Sequence, residues 1–301
     1  MTTITIAYAP DNNRITLTLT SMASVLKNAK KNDEIEFVIL YSPNHLDEKF
    51  LPIFDNLQAI KPYKLNTIKI DEKIFDNFPC SEWVTIESWF CSLLADLLPN
   101  NDKVLYMHCD TMVRNSLDTL FKTELNDNLV GVVEDIYYSK QNSKRLMLSD
   151  NNYFNSGVIL VNAKAWRKAD FYNKLRNIVL IDRKITNEQD ALNKACDTKK
   201  TILSPKYNFM QIWWKKSTHE YDEAYLREYE KSSDKPLIVH FIGVKPTSLS
   251  CKNKFVDEFA DYVKLVPAYD VLQKEIKQSA KVEKKSFWKK AIKLIKEKIK
   301  K

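Results

Sequence analysis

Hydrophobic positions follow two alternating periodicities along the first third of the chain. Short apolar runs such as Glu34–Tyr41 (EIEFVILY) predict buried strands, and apolar residues spaced three and four apart, as in Leu17–Leu26, predict helices. The predicted strands are Ile4–Ala9, Glu34–Tyr41, Lys64–Ile70 and Val104–Met107, and the predicted helices are Leu17–Leu26, His45–Leu57 and Ile86–Leu98. This alternation is typical of an α/β fold with a mostly parallel, doubly wound sheet.

The pattern is less regular in the second half of the chain. Leu129–Val133 and Val158–Val161 predict strands on either side of a long polar stretch, Asp135–Tyr153. We predict a lid or binding loop for this stretch because it exceeds the length of an ordinary connection. Helices are predicted at Ala163–Leu180 and Glu188–Ala195, and a further strand at Leu237–Phe241.

Glycine is scarce in this chain, with three glycines among 301 residues. A typical protein contains about 7% glycine. The motifs GxGxxG and GxxxxGK[ST] do not occur in the sequence, which excludes glycine-rich dinucleotide folds and P-loops. The length suits one large domain or two fused domains with a substantial core.

The net charge of +8 is concentrated at the end of the chain. Residues 271–301 contain 12 lysines and 3 glutamates, so the preceding 270 residues carry a charge of −1. A nearly neutral body argues against nucleic-acid binding, because such proteins need a basic surface. We therefore predict one globular domain over residues 1–270 and a separate basic tail over residues 271–301.

The tail has the pattern of a basic amphipathic helix that follows Ser286, a good N-terminal cap. Its apolar positions are Trp288, Ile292, Ile295 and Ile299, and its lysines Lys289, Lys293, Lys296 and Lys300 follow one position later. This pattern favours peripheral binding to an anionic membrane surface through residues 286–301. The alternative is a solvated helix that packs on its own domain.

Cysteine usage and the N-terminal sequence indicate the compartment. The five cysteines are odd in number and form no CxxC pair, which predicts free thiols in a reducing environment. The first residues lack the basic flank and apolar core of a signal peptide, and no run of about 18 apolar residues occurs. We expect a cytoplasmic protein that associates with the inner face of the cell membrane.

A strand that ends in two possible metal ligands is the first sign of chemistry. The predicted strand Val104–Met107 leads directly into His108, Cys109 and Asp110. Ligands bind at the carboxyl ends of strands in open α/β sheets. Imidazole and carboxylate groups suit ions such as Mn²⁺, which can bridge the oxygens of a diphosphate.

Three later segments add polar groups at similar places. The first is FNSGVILVN over residues 154–162, the second is NEQDALN over residues 187–193, and the third is VHFIGVKP over residues 239–246. With the HCD segment at residues 108–110, these motifs resemble glycosyltransferase family 8 in order and spacing, over roughly residues 3–250. This is a retaining, nucleotide-sugar-dependent family that includes bacterial lipopolysaccharide galactosyl- and glucosyltransferases.

The resemblance implies a GT-A fold that holds a UDP-sugar and Mn²⁺, or Mg²⁺, in a cleft at the sheet edge. The donor half would span about residues 1–115, and the acceptor half about residues 116–250. The implied metal ligands are His108, Asp110 and His240. The implied donor-binding residues are Ala9, Asp11 and Asn12 beside the uridine, and Gly243 and Lys245 beside the diphosphate.

The resemblance also implies which residues surround the transferred sugar. Asn155, Gln189 and Asp190 match catalytic positions, and Asp135 and Glu188 match positions that contact the donor. The residue at position 189 lies beside the anomeric carbon in this family. A neutral amide is a poor nucleophile, so we expect front-face substitution rather than a covalent intermediate. The acceptor would be a cell-surface glycan or glycolipid.

Several residues depart from the family pattern at the donor site. His108 replaces the first aspartate of the DxD motif, Cys91 replaces an arginine, Asn13 replaces an aromatic residue and Thr247 replaces a tryptophan. These departures motivate an alternative hypothesis, in which the chain is a non-catalytic GT-A protein that acts as a glycan-binding or partner subunit.

Overall fold

The computed structural model describes residues 3–81, 84–211 and 223–274. Two sheets form within these residues. The larger sheet has seven strands in the order β3-β2-β1-β4-β7-β6-β8, and the smaller has three strands in the order β5-β10-β9. The predicted tail helix over residues 286–301 lies outside the described residues.

Ten strands form within the described residues. They are β1 (Thr3–Tyr8), β2 (Glu34–Tyr41), β3 (Lys64–Lys69), β4 (Lys103–Met107), β5 (Thr111–Val113), β6 (Val130–Glu134), β7 (Phe154–Asn162), β8 (Lys200–Ile202), β9 (Phe209–Met210) and β10 (Ile238–His240). Strands β1 to β4 pair in parallel, as the sequence predicts. Strand β7 runs antiparallel to both of its neighbours, β4 and β6.

The helices pack around these sheets. They are α1 (Ile15–Asn28), α2 (Leu94–Leu97), α3 (Asp118–Phe121), α4 (Ser139–Leu146), α5 (Ala163–Lys168), α6 (Phe171–Ile181), α7 (Glu188–Ala195), α8 (Glu223–Asp234) and α9 (Val256–Val263). Short 3₁₀ helices occupy Asn12–Arg14, Glu48–Asp55, Glu72–Phe75, Ile86–Leu93 and Pro205–Tyr207. No helix of the described part of the chain is long and apolar enough to cross a membrane.

Both faces of the large sheet are buried along its central strands, although the edge strand β3 is mostly exposed, and successive strand residues point to opposite faces. On β2, Phe37 and Ile39 belong to the core on the face that α1 covers, whereas Val38 and Leu40 belong to the core on the other face. Strands with two buried faces require nearly continuous apolar sequences, which explains the run EIEFVILY.

Four predictions about the elements need correction. The helix predicted at His45–Leu57 is a 3₁₀ helix that contains Pro52, and the first part of Ile86–Leu98 is also 3₁₀. The helix predicted at Ala163–Leu180 divides into α5 and α6 at Asp170, whose φ of 49° is incompatible with a continuous α-helix. The polar stretch Asp135–Tyr153 contains helix α4 rather than loop alone.

Trp166 on α5 shows how the helices attach to the sheet. Its ring is fully buried and stacks on Phe171 with 3.8 Å between centroids, and its Nε1 donates a hydrogen bond of 2.9 Å to the Leu129 carbonyl. Burial and a satisfied indole N–H make a large aromatic side chain a strong contributor to a core. The side chain therefore joins α5 and α6 to the start of β6.

We predict that Trp166→Ala lowers the free energy of unfolding by about 3–5 kcal/mol, because it leaves a cavity of aromatic size. Trp166→Phe keeps an aromatic ring but removes one of the two hydrogen bonds to the Leu129 carbonyl, which still accepts from the Asn162 amide, so its expected cost is about 0.5–1.5 kcal/mol. Urea denaturation of the three proteins measures both effects. A loss below about 1 kcal/mol for Trp166→Ala would contradict this account.

Candidate functional site

The polar groups singled out by the sequence meet at one edge of the large sheet. Because β7 is antiparallel to β4, its first residues lie beside the residues that follow β4. The His108 amide donates a hydrogen bond of 2.8 Å to the Gly157 carbonyl. In the small sheet, β10 pairs antiparallel with β5 and places His240 opposite Thr111, next to Asp110.

His108, Asp110 and His240, together called the metal triad below, present nitrogen and oxygen atoms to one another. One ligand atom from each residue lies within 4.8 Å of the others. The Nε2 atom of His240 lies 3.4 Å from Oδ1 of Asp110, and the two imidazole rings meet edge to face at 5.4 Å between centroids. This donor set of two nitrogens and one carboxylate fits a divalent transition ion.

Electrostatics keeps two members of the metal triad, His108 and Asp110, in forms that can ligate a cation. Burial, and then the neighbouring His240, lower the pKa of His108 from 6.5 to about 3, so its imidazole is neutral at physiological pH. Burial alone would raise the pKa of Asp110, but His240, Lys245 and His108 hold it well below its ordinary value. Neutral imidazole and ionised carboxylate are the ligating forms.

Lys245 already supplies a cation to this site. Its ammonium group forms an ion pair with Oδ2 of Asp110, while Oδ1 faces His240. Gly243, two residues earlier, has a φ of 76°, and a Cβ on it would meet no atom within 4 Å. This left-handed backbone turns the chain after β10 so that Lys245 returns to the cleft.

Helix α7 brings the second group of predicted residues to the same edge. The side chain of Asn193 bonds both the amide and the carbonyl of Phe154, at 2.8 and 2.9 Å, and so fastens α7 to β7. One turn earlier, Oε1 of Gln189 accepts hydrogen bonds from the amide and the hydroxyl of Ser156. The start of α7 is therefore fixed against the start of β7.

Asp135, Asn155 and Gln189 form one hydrogen-bonded group. The Oδ2 atom of Asp135 accepts from Nδ2 of Asn155 and from Nε2 of Gln189, each at 3.2 Å. Its Oδ1 atom accepts from the amides of Tyr137 and Tyr138 at 2.9 and 3.0 Å. This carboxylate thus holds both predicted amides in fixed orientations.

Asp190 differs from the other predicted residues because its carboxylate is completely buried. It accepts hydrogen bonds from Arg145 at 2.5 Å, from the Tyr153 hydroxyl at 2.9 Å and from both the amide and the hydroxyl of Thr186. These four donors occupy its oxygens and tie α7 to α4. The arrangement favours a positioning role for Asp190 over contact with a substrate.

The predicted uridine-binding residues follow β1. Ala9 lines the cleft, and Asp11 caps the 3₁₀ helix by accepting a hydrogen bond of 3.0 Å from the Arg14 amide, while its side chain also pairs with the Arg14 guanidinium. Oδ1 of Asn12 accepts from the Asp47 amide at 3.0 Å. Asn13, where the family has an aromatic ring, is exposed.

The cleft beside the metal triad has a volume of about 140 Å³. Glu87 also lines this cleft, although the sequence analysis did not predict it as a site residue. Cys91, where the family pattern has an arginine, packs in the core and does not line the cleft. Glu87 is 2% exposed, and neither of its carboxylate oxygens has a hydrogen bond, although Nδ1 of His45 lies 3.4 Å from one of them. The signal in the sequence is a single charge within IESWFCSL, four residues before Cys91.

Solved structures with the same architecture place the fold among the GT-A glycosyltransferases. The galactosyltransferase LgtC, solved with donor and acceptor sugar analogues, superposes with a TM-score of 0.79 at 24% identity, over 88% of this chain and 97% of that one. The bifunctional glycosyltransferase WbbM superposes with a TM-score of 0.76 at 19% identity, over 90% of this chain and 51% of that one. At these identities, the likeness shows the fold.

The sequence comparison then gives the family. The profile of "Glycosyl transferase family 8" matches residues 5–246, so the chain belongs to glycosyltransferase family 8. A glycosyltransferase of Haemophilus influenzae is 24% identical over 218 residues, which are 69% of this chain and 63% of that protein. A lipopolysaccharide 1,2-glucosyltransferase of Escherichia coli is 25% identical over 250 residues, which are 80% of this chain and 72% of the relative.

Glu188 provides a pH-dependent test of the site. Burial raises the pKa of its carboxyl group, so the folded protein favours the protonated form. The contribution of Glu188 to folding stability is therefore complete below its pKa in the unfolded chain, and it is lost as the pH rises through its higher pKa in the folded protein. We therefore predict that Glu188→Gln unfolds at a higher temperature than the wild type at pH 8, by about 2–4 °C for each kcal/mol gained.

This difference in melting temperature should shrink toward pH 4, where the wild-type carboxyl group is also neutral. Differential scanning calorimetry at the two pH values measures it. Glu124→Gln is the matched control because Glu124 is exposed, and we expect little change at either pH. A lower melting temperature of Glu188→Gln at pH 8 would show that the site stabilises the charged carboxylate instead.

Proposed function

We propose that the chain is a retaining hexosyltransferase that moves galactose or glucose from a UDP-sugar to a lipopolysaccharide-like cell-surface glycan. The observation that carries the proposal is the fixed group of Asp135, Asn155 and Gln189 at the same sheet edge as the metal triad. The name of the Escherichia coli relative supports the acceptor class. The donor is a UDP-sugar by family resemblance.

Positive charge at the diphosphate is the first requirement of the proposed reaction. Mn²⁺ or Mg²⁺ held by the metal triad would supply Lewis-acid stabilisation of the leaving diphosphate. The Lys245 ammonium group pairs with Asp110 of the metal triad, and it can pair with a phosphate oxygen once it separates from Asp110. Preorganised cations of this kind stabilise the charge that develops as UDP departs.

The position of Gln189 favours substitution at the front face of the sugar. Its oxygen is engaged by Ser156 and its nitrogen by Asp135, so the amide is held in place and carries no charge. A side chain with these partners has no activated lone pair for attack on the anomeric carbon. Its contribution in the proposed mechanism is therefore electrostatic.

In the proposed substitution, one bond breaks and one bond forms at the anomeric carbon, and one proton moves from the acceptor to the leaving group. The bond between the anomeric carbon and the phosphate oxygen breaks, and the acceptor oxygen bonds to the same face of the sugar, which retains the configuration. The acceptor's proton passes to the departing phosphate oxygen. Burial raises the pKa of the Glu188 carboxyl group, and its Oε1 atom accepts a hydrogen bond of 3.1 Å from the Ser156 hydroxyl at the edge of the cleft.

A second candidate function is a non-catalytic subunit that binds a glycan or a partner. The observation that favours it is the loss of the guanidinium at position 91, where the Cys91 thiol is 1% exposed and donates to the Ser88 carbonyl at 3.3 Å. Glu87 lines the cleft without a hydrogen-bonding partner. Such a site could bind sugars without transferring them.

We predict that the wild-type protein releases UDP from UDP-galactose or UDP-glucose in the presence of Mn²⁺. Asp110→Asn should lower this rate by more than about 100-fold, the upper end of what outer partners of a metal site cost. A coupled assay for UDP measures the rates. The matched control is Asp118→Asn, because Asp118 also pairs with lysines but lies on α3, outside the cleft lining.

Two results would contradict the enzymatic proposal. One is the absence of UDP release with every UDP-sugar tested, together with binding of a glycan by the same protein, which would support the non-catalytic function. The other is an equal loss of activity in Asp110→Asn and Asp118→Asn, which would indicate a general effect of removing a lysine-paired aspartate.

We also propose that residues 286–301 hold the enzyme at an anionic membrane surface, where a glycolipid acceptor is found. The residues at the end of the described chain show where the segment that leads to residues 286–301 leaves the domain. The side chain of Gln273 donates a hydrogen bond of 3.4 Å to the Thr16 hydroxyl, and Leu272 is buried in the core. Thr16 lies two residues after Arg14, which lines the cleft. Residues 272 and 273 therefore lie against helix α1, which begins directly after the cleft residue Arg14.

We predict that the full chain sediments with vesicles that contain phosphatidylglycerol and that a chain lacking residues 286–301 does not. The truncation leaves Leu272 and Gln273 in place, so the described contacts remain. Each lysine near an anionic surface contributes about 1 kcal/mol to binding. Neutral phosphatidylcholine vesicles are the control, and equal binding to both vesicle types would contradict an electrostatic anchor.

A further inference from the structure

Buried amides connect Asp135 to His240 through a chain of hydrogen bonds. Nδ2 of Asn155 donates to Oδ2 of Asp135 at 3.2 Å, and Nδ2 of Asn208 donates to Oδ1 of Asn155 at 3.0 Å. Oδ1 of Asn208 lies 3.1 Å from Nδ1 of His240. Asn208 is completely buried, and the sequence motifs gave it no role.

The donor and acceptor roles in this series of hydrogen bonds are fixed by the two partners of the Asn155 side-chain amide. A carboxylate only accepts hydrogen bonds, so the atom of Asn155 that faces Asp135 must be the amide nitrogen. The Gly157 amide only donates, and it lies 2.9 Å from the other atom of the Asn155 amide, which must therefore be the oxygen. The two requirements agree, and they leave the Asn155 oxygen to accept from Asn208.

The direction then passes on to His240. Since Asn208 donates through its nitrogen, its oxygen faces Nδ1 of His240, and this ring nitrogen must carry a proton. In the neutral ring, the lone pair is then on Nε2, which faces Oδ1 of Asp110 at 3.4 Å. Two acceptor atoms at this distance do not bond each other directly, and both are available to a cation between them, while Lys245 pairs with the other oxygen of Asp110.

Gly157 removes the remaining freedom of the ring. A Cβ at this position would lie 2.1 Å from Cε1 and 2.5 Å from Nδ1 of His240. Real side chains do not approach so closely, so the ring packs directly on the glycine backbone. The ring is therefore confined by the main chain on one side and oriented by Asn208 through its Nδ1 atom.

We infer that Asn208 is a positioning residue that fixes His240 in the Nδ1-protonated tautomer and aims the Nε2 lone pair at the metal position. The inference rests on the proposed metal assistance. Outer partners of a ligating imidazole fix its tautomer and orientation, and losing one typically costs 10–100-fold in metal affinity. Asn208 also links the metal triad to Asn155 and Asp135, so both groups depend on the same amide.

The test is the tautomer of His240 in the metal-free protein, read from ring nitrogen NMR at pH 8. The chain has four histidines, and a His240→Gln spectrum assigns the signal. The expected wild-type result is a proton on Nδ1. Asn208→Leu, which removes the acceptor at similar volume, should move that proton to Nε2 and weaken Mn²⁺ binding by about 10–100-fold, measured by electron paramagnetic resonance.

Two further variants separate positioning from shape. Asn208→Asp keeps an oxygen before Nδ1 and is expected to retain the tautomer, but it loses the donor to Oδ1 of Asn155, so its Mn²⁺ affinity should lie between those of Asn208→Leu and the wild type. Gly157→Ala should displace the ring and weaken Mn²⁺ binding although Asn208 is present. Asn253→Leu is the matched control: Asn253 is 5% exposed and its oxygen accepts from the Phe255 amide at 3.0 Å, so neither readout should change.

An unprotonated Nδ1 atom of His240 in the wild-type protein would overturn the inference. So would an unchanged tautomer and Mn²⁺ affinity in Asn208→Leu, or equal losses in Asn208→Leu and Asn208→Asp. These measurements require no turnover. The protein could carry the proton on Nδ1, show Mn²⁺ binding that depends on Asn208, and yet release no UDP. That result would contradict the proposed transferase function and leave this inference standing.

Discussion

The antiparallel pairing of β7 with β4 is the constraint on which the site depends. A fully parallel sheet would place the start of β7 at the edge opposite the end of β4. Reversal of β7 puts Asn155, Ser156 and Gly157 beside His108 instead, with the Gly157 carbonyl bonded to the His108 amide at 2.8 Å. The same reversal against β6 brings Asp135, which follows β6, to this edge. One change of strand direction thus collects residues that are far apart in the chain.

Collecting so many polar groups inside a protein has a cost that only complete hydrogen bonding offsets. Asp135 is 4% exposed and receives four N–H donors, and Asn208 bonds through both ends of its amide. Each partner has one allowed direction, so the group has a single consistent arrangement. The rigidity that a transferase needs around a reacting sugar follows from this mutual satisfaction rather than from packing alone.

The sequence predicted the elements with strong periodicity and missed those that are too short to have one. Strand β2 has a nearly continuous apolar run and β1 alternates, whereas β5, β8 and β9 have two or three residues each, too few to show either pattern. Strand β10 is equally short, but the strand predicted at Leu237–Phe241 contains it. The family motifs located His108, Asn155 and Gln189, but a motif does not state which atoms pair across segments. Asn208 and Glu87 were missed for this reason, since their significance lies in neighbours 32 residues away or in the lack of a hydrogen bond.

Charge balance separates this cleft from the family pattern. Its lining contains the carboxyl groups of Glu87, Asp110 and Glu188, whereas its cations are Arg14 and Lys245, and both of these are already paired with aspartates. In the proposed function, a diphosphate that enters the cleft would draw Lys245 away from Asp110, which would then need another cation. A divalent ion meets that need, and the diphosphate in turn lowers the repulsion among the cations around it. Position 91 holds a cysteine where the family pattern has an arginine, so fewer fixed positive charges line the cleft. In the proposed reaction, the binding of the diphosphate and the binding of the cation therefore depend more strongly on each other.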